Sequence, residues 1–235
     1  MGQLGLQDGM AILEVGSGPG FITERLLDAL PHATVTAVDL DPDMCDLARA
    51  RLAQYLGDRL EIVNASILYP DLPENSFDFA LARYVFQHLS APDLAAIEIL
   101  RLLKPGGRIA IADIDDAIGG LVVPRLAAFE QLASKVRQVQ ASSAGDREIG
   151  RKLWRLMADA GYVKLGLDMV VYHSDELGLA SFAPQYDPER YRPLVADGVL
   201  TGEEWERYRA AYAQFMAAPD ALILQLLMLA YGTKP

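Results

Sequence analysis

The run Ile12-Leu13-Glu14-Val15-Gly16-Ser17-Gly18-Pro19-Gly20 restricts this chain more than any other stretch. Apolar residues load a buried strand, an acid stands near its end, and three glycines follow at alternate positions. Without a Cβ, glycine lets the backbone turn sharply and lets a ligand come close to the main chain. A helix read over Gly20–Leu30 completes a strand–turn–helix, the opening of a nucleotide-binding crossover. A dinucleotide fingerprint wants G-x-G-x-x-G, but Phe21 occupies the place of its third glycine, and the spacing is G-x-G-x-G instead.

Downstream, β-type apolar runs alternate with amphipathic stretches, the pattern of a parallel sheet covered by helices. The spacing predicts strands over Ala11–Val15, Thr34–Asp39, Leu60–Asn64, Phe77–Arg83 and Arg108–Asp113. Helices are predicted over Gly20–Leu30, Asp41–Tyr55 and Asp93–Leu103, with a short one near Val85–His88. Lys104-Pro105-Gly106-Gly107 reads as the turn closing the helix before the fifth strand, since proline cannot continue it and glycine accepts positive φ. After Asp113 the rhythm changes. A helix over Val122–Gln140, a break at Ser142-Ser143-Ala144-Gly145 and a helix over Asp146–Ala160 ended by Gly161 precede strands over Val163–Tyr172 and Ala221–Tyr231. Between those strands lies a helical insertion, in which Thr201-Gly202-Glu203-Glu204 caps a helix over Thr201–Met216. One domain over 1–235 is expected, with a cofactor half at 11–113, a substrate-side half at 114–172, a lid at 173–220 and a final strand at 221–232.

The glycine turn, Asp39 ending the next strand, the segment Ala82-Arg83-Tyr84-Val85-Phe86-Gln87-His88-Leu89 and the run Leu100-Arg101-Leu102-Leu103-Lys104-Pro105-Gly106-Gly107 form one set. Together they resemble the class I S-adenosylmethionine (SAM) dependent methyltransferases, in their ubiquinone/menaquinone-type and small-molecule branch, over roughly Ala11 to Asp113. The resemblance implies an α/β, Rossmann-like fold. Its sheet would be seven-stranded and mostly parallel, with helices on both faces and a last strand entering antiparallel beside the fifth. It also implies SAM as cofactor, S-adenosylhomocysteine as product, and in-line methyl transfer. Only Met1–Met10 stand ahead of the first strand. The helices that precede the glycine turn in that family are therefore expected to be truncated here, or replaced by the insertion or by a partner.

Carried onto this chain, the resemblance gives each residue a role. Gly16, Ser17, Gly18 and Gly20 would cradle SAM, and Glu14 beneath them would order the turn. A carboxylate there suits a cationic cofactor better than an anionic dinucleotide; a glutamate that caps backbone without touching a ligand is the plainer alternative. Asp39, about 20 residues beyond the turn, can reach ribose hydroxyls. It could equally cap the next helix, a role Asp41 or Asp43 also fits. Leu40 beside it, and Met44 along the adenine, join the cofactor set, although a lone methionine also reads as core. Ser66 and Ile67 match the segment after the third strand that receives the adenine amino group, where the family usually has Asp; Asn64 takes that place if the register shifts by two. Arg83 would meet the methionine end of SAM.

Tyr84 and His88 would face the acceptor as the catalytic pair. His88 is a candidate general base because imidazole titrates near neutral pH; otherwise it fixes the short helix. A base is not obligatory, since holding donor and acceptor in line does most of the work. Asp113, Asp115 and Asp116 could hold Mg²⁺ as in catechol-type O-methyltransferases, but an aspartate-dense turn suits capping, and no metal is expected. His32 and His173 are expected to carry no chemistry.

The acceptor is expected to be a small molecule. A net charge of −11 argues against a nucleic-acid partner, which requires clustered Lys and Arg. A single cysteine, Cys45, excludes an internal disulfide. The longest apolar stretch, Ala221–Tyr231, falls short of the ~20 residues that span a bilayer, and no basic n-region leads an apolar run at the start. A cytoplasmic protein with no integral membrane segment is therefore expected, with a homodimer as one option. Phe182, Tyr186, Tyr191, Trp205, Tyr208, Tyr212 and Phe215 in the insertion either pack its own core or line an apolar pocket. The second case suits a bacterial natural-product or quinone-like acceptor, methylated on oxygen ahead of carbon or nitrogen. Three other readings stay open: a SAM-fold enzyme catalysing a non-transfer step such as cyclisation, a non-catalytic SAM-binding protein, and NAD-dependent oxidoreduction, against which Phe21 counts.

Overall fold

The computed structural model describes residues 4–142 and 145–235. The chain divides into two compact units, one running up to Asp113 and joined by Ile149–Asp168 and Met228–Pro235, the other made of Ile114–Glu148 and Met169–Leu227.

In the first unit β1 (Ala11–Val15), β2 (Thr34–Asp39), β3 (Leu60–Asn64), β4 (Phe77–Arg83) and β5 (Leu103–Asp113) lie in the order β3-β2-β1-β4-β5, all parallel. The end of β8 (Leu222–Thr233) runs antiparallel to β5, from Arg108↔Thr233 to Asp113↔Met228. Helices α1 (Phe21–Ala29), α2 (Pro42–Arg51) and α3 (Pro92–Leu102) link the parallel strands. Successive residues of a strand point to opposite faces. Leu13 accordingly packs with Ile99, Leu102, Ile109 and Ile111, while Ile12 packs with Leu26, Leu27, Val35 and Phe79. Both faces are covered, which is why apolar residues occupy both alternations of the central strands β1 and β4 rather than one. Later in this unit a 3₁₀ turn at Ile149–Lys152 leads into α5 (Leu153–Ala160), and β7 (Val163–His173) pairs with β8. Gly161 ends α5 at φ +102°.

Two expectations shift here. α2 stops at Arg51, and Ala53–Tyr55 forms a separate 3₁₀ turn. β5 starts at Leu103, not Arg108: Leu103 pairs with Phe77 and the register then jumps to Phe79↔Arg108. Lys104–Gly107 therefore loop out within the strand, with Gly106 at φ +79°. The turn chemistry is present, but inside β5 rather than ahead of it.

The second unit opens with β6 (Gly120–Val123), antiparallel to the start of β8 from Gly120↔Gln225 to Val123↔Leu222. A helix from Val122 was expected. Pro124 disfavours it, because the residue before a proline, here Val123, is pushed out of the helical region into extended backbone; α4 (Ala127–Ser142) starts after it and the strands reach eight rather than seven. The break expected at Ser142–Gly145 lies partly on residues 143 and 144, outside the described residues. The insertion is helical: α6 (Ser174–Leu177), α7 (Ala183–Tyr186), α8 (Pro193–Ala196) and α9 (Gly202–Ala217). Thr201 closes a full capping box with Glu204. Phe129, Leu132, Phe182, Leu200, Tyr208, Phe215 and Ile223 form this unit's own core. Phe129 stacks on Tyr186 at 5.8 Å and meets Tyr208 at 5.0 Å and Phe215 at 5.6 Å. No described helix is long and apolar enough to cross a membrane.

Candidate cofactor and active site

The glycine turn leaves β1 with Gly16, Gly18 and Gly20 at φ +67°, +53° and +83°. Gly16 and Ser17 N–H donate to the Val38 carbonyl at 2.8 and 3.3 Å, tying the turn to β2. Gly18 N–H donates to Asp39 Oδ2 at 2.7 Å. The glycines are not equivalent. A Cβ on Gly16 would lie 2.2 Å from Val85 Cγ2, whereas one on Gly18 would meet nothing within 4 Å. Gly16 is thus fitted to the protein and Gly18 opens on free space. Gly20 packs against Leu52.

A cavity of about 270 Å³ lies where the first four strands end. It is lined after β1 by Gly16, after β2 by Asp39 and Leu40, after β3 by Ser66 and Ile67, and after β4 by Tyr84 and His88. This is the carboxyl edge of a parallel sheet, the place where open α/β folds bind ligands. The sequence reading missed Ala65, Val85 and Leu89, which supply the cavity's apolar wall together with Val15 and Val38. Gly16 carried a signal for Val85, since a turn glycine with no room for a Cβ needs a neighbour pressed against it.

The remaining expected residues surround the cavity without lining it. Glu14 is buried beneath the turn, where Thr23 Oγ1 lies 2.6 Å from its Oε2. Ser17 is buried too, and its hydroxyl has no hydrogen-bond partner among the described residues. Met44 is half-buried in α2. Arg83 is exposed and lies over the Tyr84 ring at 4.4 Å.

Asp39 does not cap α2. Asp41 does, accepting from Asp43 N–H at 2.9 Å. The Asp39 carboxylate instead takes Gly18 N–H and, at 3.0 Å, Asp41 N–H. Each carboxylate oxygen has two acceptor positions, so it can accept further donors. Asn64 braces the same corner, donating to the Asp39 and Leu40 carbonyls at 3.0 Å each. Of the two candidates for the adenine contact, Ser66 lines the cavity and Asn64 holds β2.

Tyr84 adopts φ +59°, with its N–H bonded to Ala112 O at 2.9 Å. A bulky residue in the left-handed region is strained, and such strain concentrates at functional sites. His88 ends the 3₁₀ turn Phe86–His88 and is exposed at the cavity. The three downstream aspartates have structural partners. Asp113 accepts Gln87 N–H at 3.2 Å, Asp115 accepts Ala117 N–H at 3.1 Å, and Asp116 accepts from Arg147 Nε and, at 3.0 Å, from its Nη2. His32 and His173 lie near Asp8 and Glu176, at 4.0 and 3.8 Å.

The residues fit a nucleoside cofactor: an open cradle at Gly18, an orphaned hydroxyl at Ser17, and a carboxylate at the cavity wall. Residues 13–111 match the family described as methyltransferase domain. Over 100 residues the chain is 35% identical to a malonyl-[acyl-carrier protein] O-methyltransferase of Paenibacillus sp. (strain JDR-2), covering 42% of this chain and 36% of that protein. Over 120 residues it is 27% identical to a ubiquinone/menaquinone biosynthesis C-methyltransferase of Hahella chejuensis, covering 50% and 48%. The chain spans about half or less of the length of these curated relatives. Its fold is similar to the solved Haemonchus contortus phosphoethanolamine N-methyltransferase 2 in complex with phosphomonomethylethanolamine and S-adenosylhomocysteine. There the TM-score is 0.63 at 18% identity, over 99% of this chain and 51% of that one. Residues 13–111 thus carry a methyltransferase domain, similar in sequence to the methyltransferases named above and, in the fold around it, to an S-adenosylhomocysteine-bound one.

Proposed function

We propose that this protein transfers a methyl group from SAM to a small organic acceptor, of natural-product or quinone type, on oxygen ahead of carbon or nitrogen. One observation carries the reading: the first glycine of the turn lines the cavity, while Ser17 beside it keeps a buried hydroxyl without a partner among the described residues. When bound, SAM supplies an electrophilic methyl group on a sulfonium. Asp39 would accept the ribose hydroxyls, with its geometry set by the Gly18 and Asp41 amides. Ser66 would accept from the adenine amino group, and Ile67, Val85 and Leu89 would exclude water around it. Tyr84 would orient the acceptor, and an imidazole nitrogen of His88 would take the proton that an oxygen acceptor sheds. The preference for oxygen rests on that histidine and on the O-methyltransferase named above, since a carbon acceptor needs a different site around the same donor.

The test is incubation with methyl-labelled SAM and a panel of phenolic, carboxylic, enolic and amine acceptors, scored for S-adenosylhomocysteine and for the labelled atom. An O-methyl product is expected, with H88Q lowering kcat by about 10²–10⁴-fold, the usual worth of a general base. Bound SAM that never yields S-adenosylhomocysteine across the panel refutes the transfer. Label on carbon refutes the preference for oxygen.

A further inference from the structure

Glu14 is an ionisable side chain built into the core at the glycine turn, 4% exposed at the end of β1. Its only hydrogen bond among the described residues is the one with Thr23 on α1, and no cation pairs with it there. The neighbouring elements bring no relief. β2 presents a second carboxyl, Asp39. β4 sets Leu81 in register beside it, while the charges of that strand are engaged elsewhere, Asp78 with Lys104 at 2.7 Å and Arg83 over Tyr84. On α1, Glu24 is paired with Arg51 at 3.2 Å. Two carboxyls therefore flank the turn, with the Ser17 hydroxyl, which has no partner among the described residues, in the segment that joins them. A buried carboxylate without a counter-ion is costly, and such a group keeps its proton instead. Burial above all, and then the Asp39 charge, push Glu14 up to about 7 against the opposing pull of the Thr23 bond.

We infer that ligand binding at this turn is proton-coupled: Glu14 holds a proton until a cationic nucleoside seats on the turn, and then releases it to solvent. The inference rests on the SAM reading and adds a selection to it. The site presents a neutral acid to neutral or anionic ligands and a carboxylate to a cation. If the ionised form is the binding-competent one, affinity scales with its population, about one-tenth at pH 6 and about nine-tenths at pH 8. SAM should then bind about tenfold more tightly at pH 8 than at pH 6, with about half a proton released per site at pH 7.

The test has two arms on the whole chain. Carbon-13 NMR of the side-chain carboxyls, with the Glu14 resonance assigned through the backbone of β1, follows Glu14 in the ligand-free protein. Calorimetry of SAM binding at pH 6, 7 and 8, in two buffers of different ionisation enthalpy, counts protons for wild type and E14Q; their difference removes any contribution of His88. A midpoint near 7, buffer-dependent heat in wild type and a pH-flat affinity in E14Q are expected. A Glu14 midpoint in the ordinary carboxylate range overturns the inference, even if E14Q does not fold. So does SAM binding with no proton release at pH 7. Absence of binding at every pH overturns the donor-site reading itself, and the coupling with it.

Discussion

Alanine placed separately at Gly16 and Gly18 separates the architectural glycine from the ligand-facing one. Both positions have positive φ, at +67° and +53°. A Cβ there costs about 1–2 kcal/mol in backbone strain alone. At Gly16 the new atom also falls 2.2 Å from Val85 Cγ2 and 3.3 Å from Cγ1. Val85 is β-branched and stiff about χ1, so it cannot swing aside freely, and overpacking of this kind adds about 1–3 kcal/mol. G16A should therefore lose about 2–5 kcal/mol in urea unfolding, and G18A about 1–2 kcal/mol. Ligand binding should rank the two differently. G18A directs its methyl into the open space over the turn, so S-adenosylhomocysteine binding measured by calorimetry should fall at least tenfold in a protein that remains folded. The double variant G16A/V85A removes both Cγ atoms and should recover much of the packing loss, leaving the strain. Equal stability of G16A and G18A, or no recovery in the double variant, refutes the packing argument. Undiminished binding by G18A refutes the placement of the ligand over the turn.

Two further outcomes follow from groups the fold constrains. Glu14 has a folded-state value raised from 4.5 to about 7, so its contribution to stability is fully present below pH 4.5 and disappears as pH rises through 7. At about 1.4 kcal/mol per unit, about 3 kcal/mol is lost across that window. E14Q cannot ionise and should gain on wild type by that order between pH 4.5 and 8 in denaturant titrations; a constant difference refutes the assignment. Arg59 closes the C-terminal end of α1, its guanidinium donating to the carbonyls of Leu27 at 2.6 Å, Leu30 at 3.3 Å and Pro31 at 2.8 Å. R59M keeps the aliphatic stem and removes those bonds, and should cost about 1–3 kcal/mol in thermal or urea unfolding; a loss below a few tenths would show that water replaces the guanidinium freely.

The first unit was legible because its signals are local. The β1–β4 boundaries follow from apolar runs punctuated by glycine, proline and aspartate, and the two core faces follow from the alternation of Ile12 and Leu13. Local signals also misled where several lay close together. Valines at 122 and 123 fit a helix or a strand until the geometry of Pro124 decides between them, and Lys104–Gly107 has turn chemistry that a strand can absorb as a bulge. Asp39 and Asp41 are one residue type two positions apart, and only the backbone path makes one a helix cap and the other a brace for Gly18. The apolar cavity wall was harder to read, because Ala65, Val85 and Leu89 carry no polar group to announce a role, and their meeting at one edge depends on strand order.

The same distinction bears on the chemistry. Residue type and spacing locate a carboxyl at Glu14, but its charge depends on burial, on one threonine bond and on the Asp39 carboxylate across the strand pair, none of which is a property of the segment around it. Aromatic residues in the insertion show the converse. Their spacing suits a pocket, yet Phe182, Tyr208 and Phe215 are buried in a core of their own, and the Tyr208 hydroxyl donates to the Tyr186 carbonyl at 2.7 Å. A side chain whose polar tip and ring are both satisfied within its own unit has little left to offer an acceptor. On the proposed reading, acceptor choice would fall to cavity-lining groups such as His88 and the strained Tyr84. That is consistent with the relatives, where matches over similar stretches of sequence accompany oxygen methylation in one protein and carbon methylation in another.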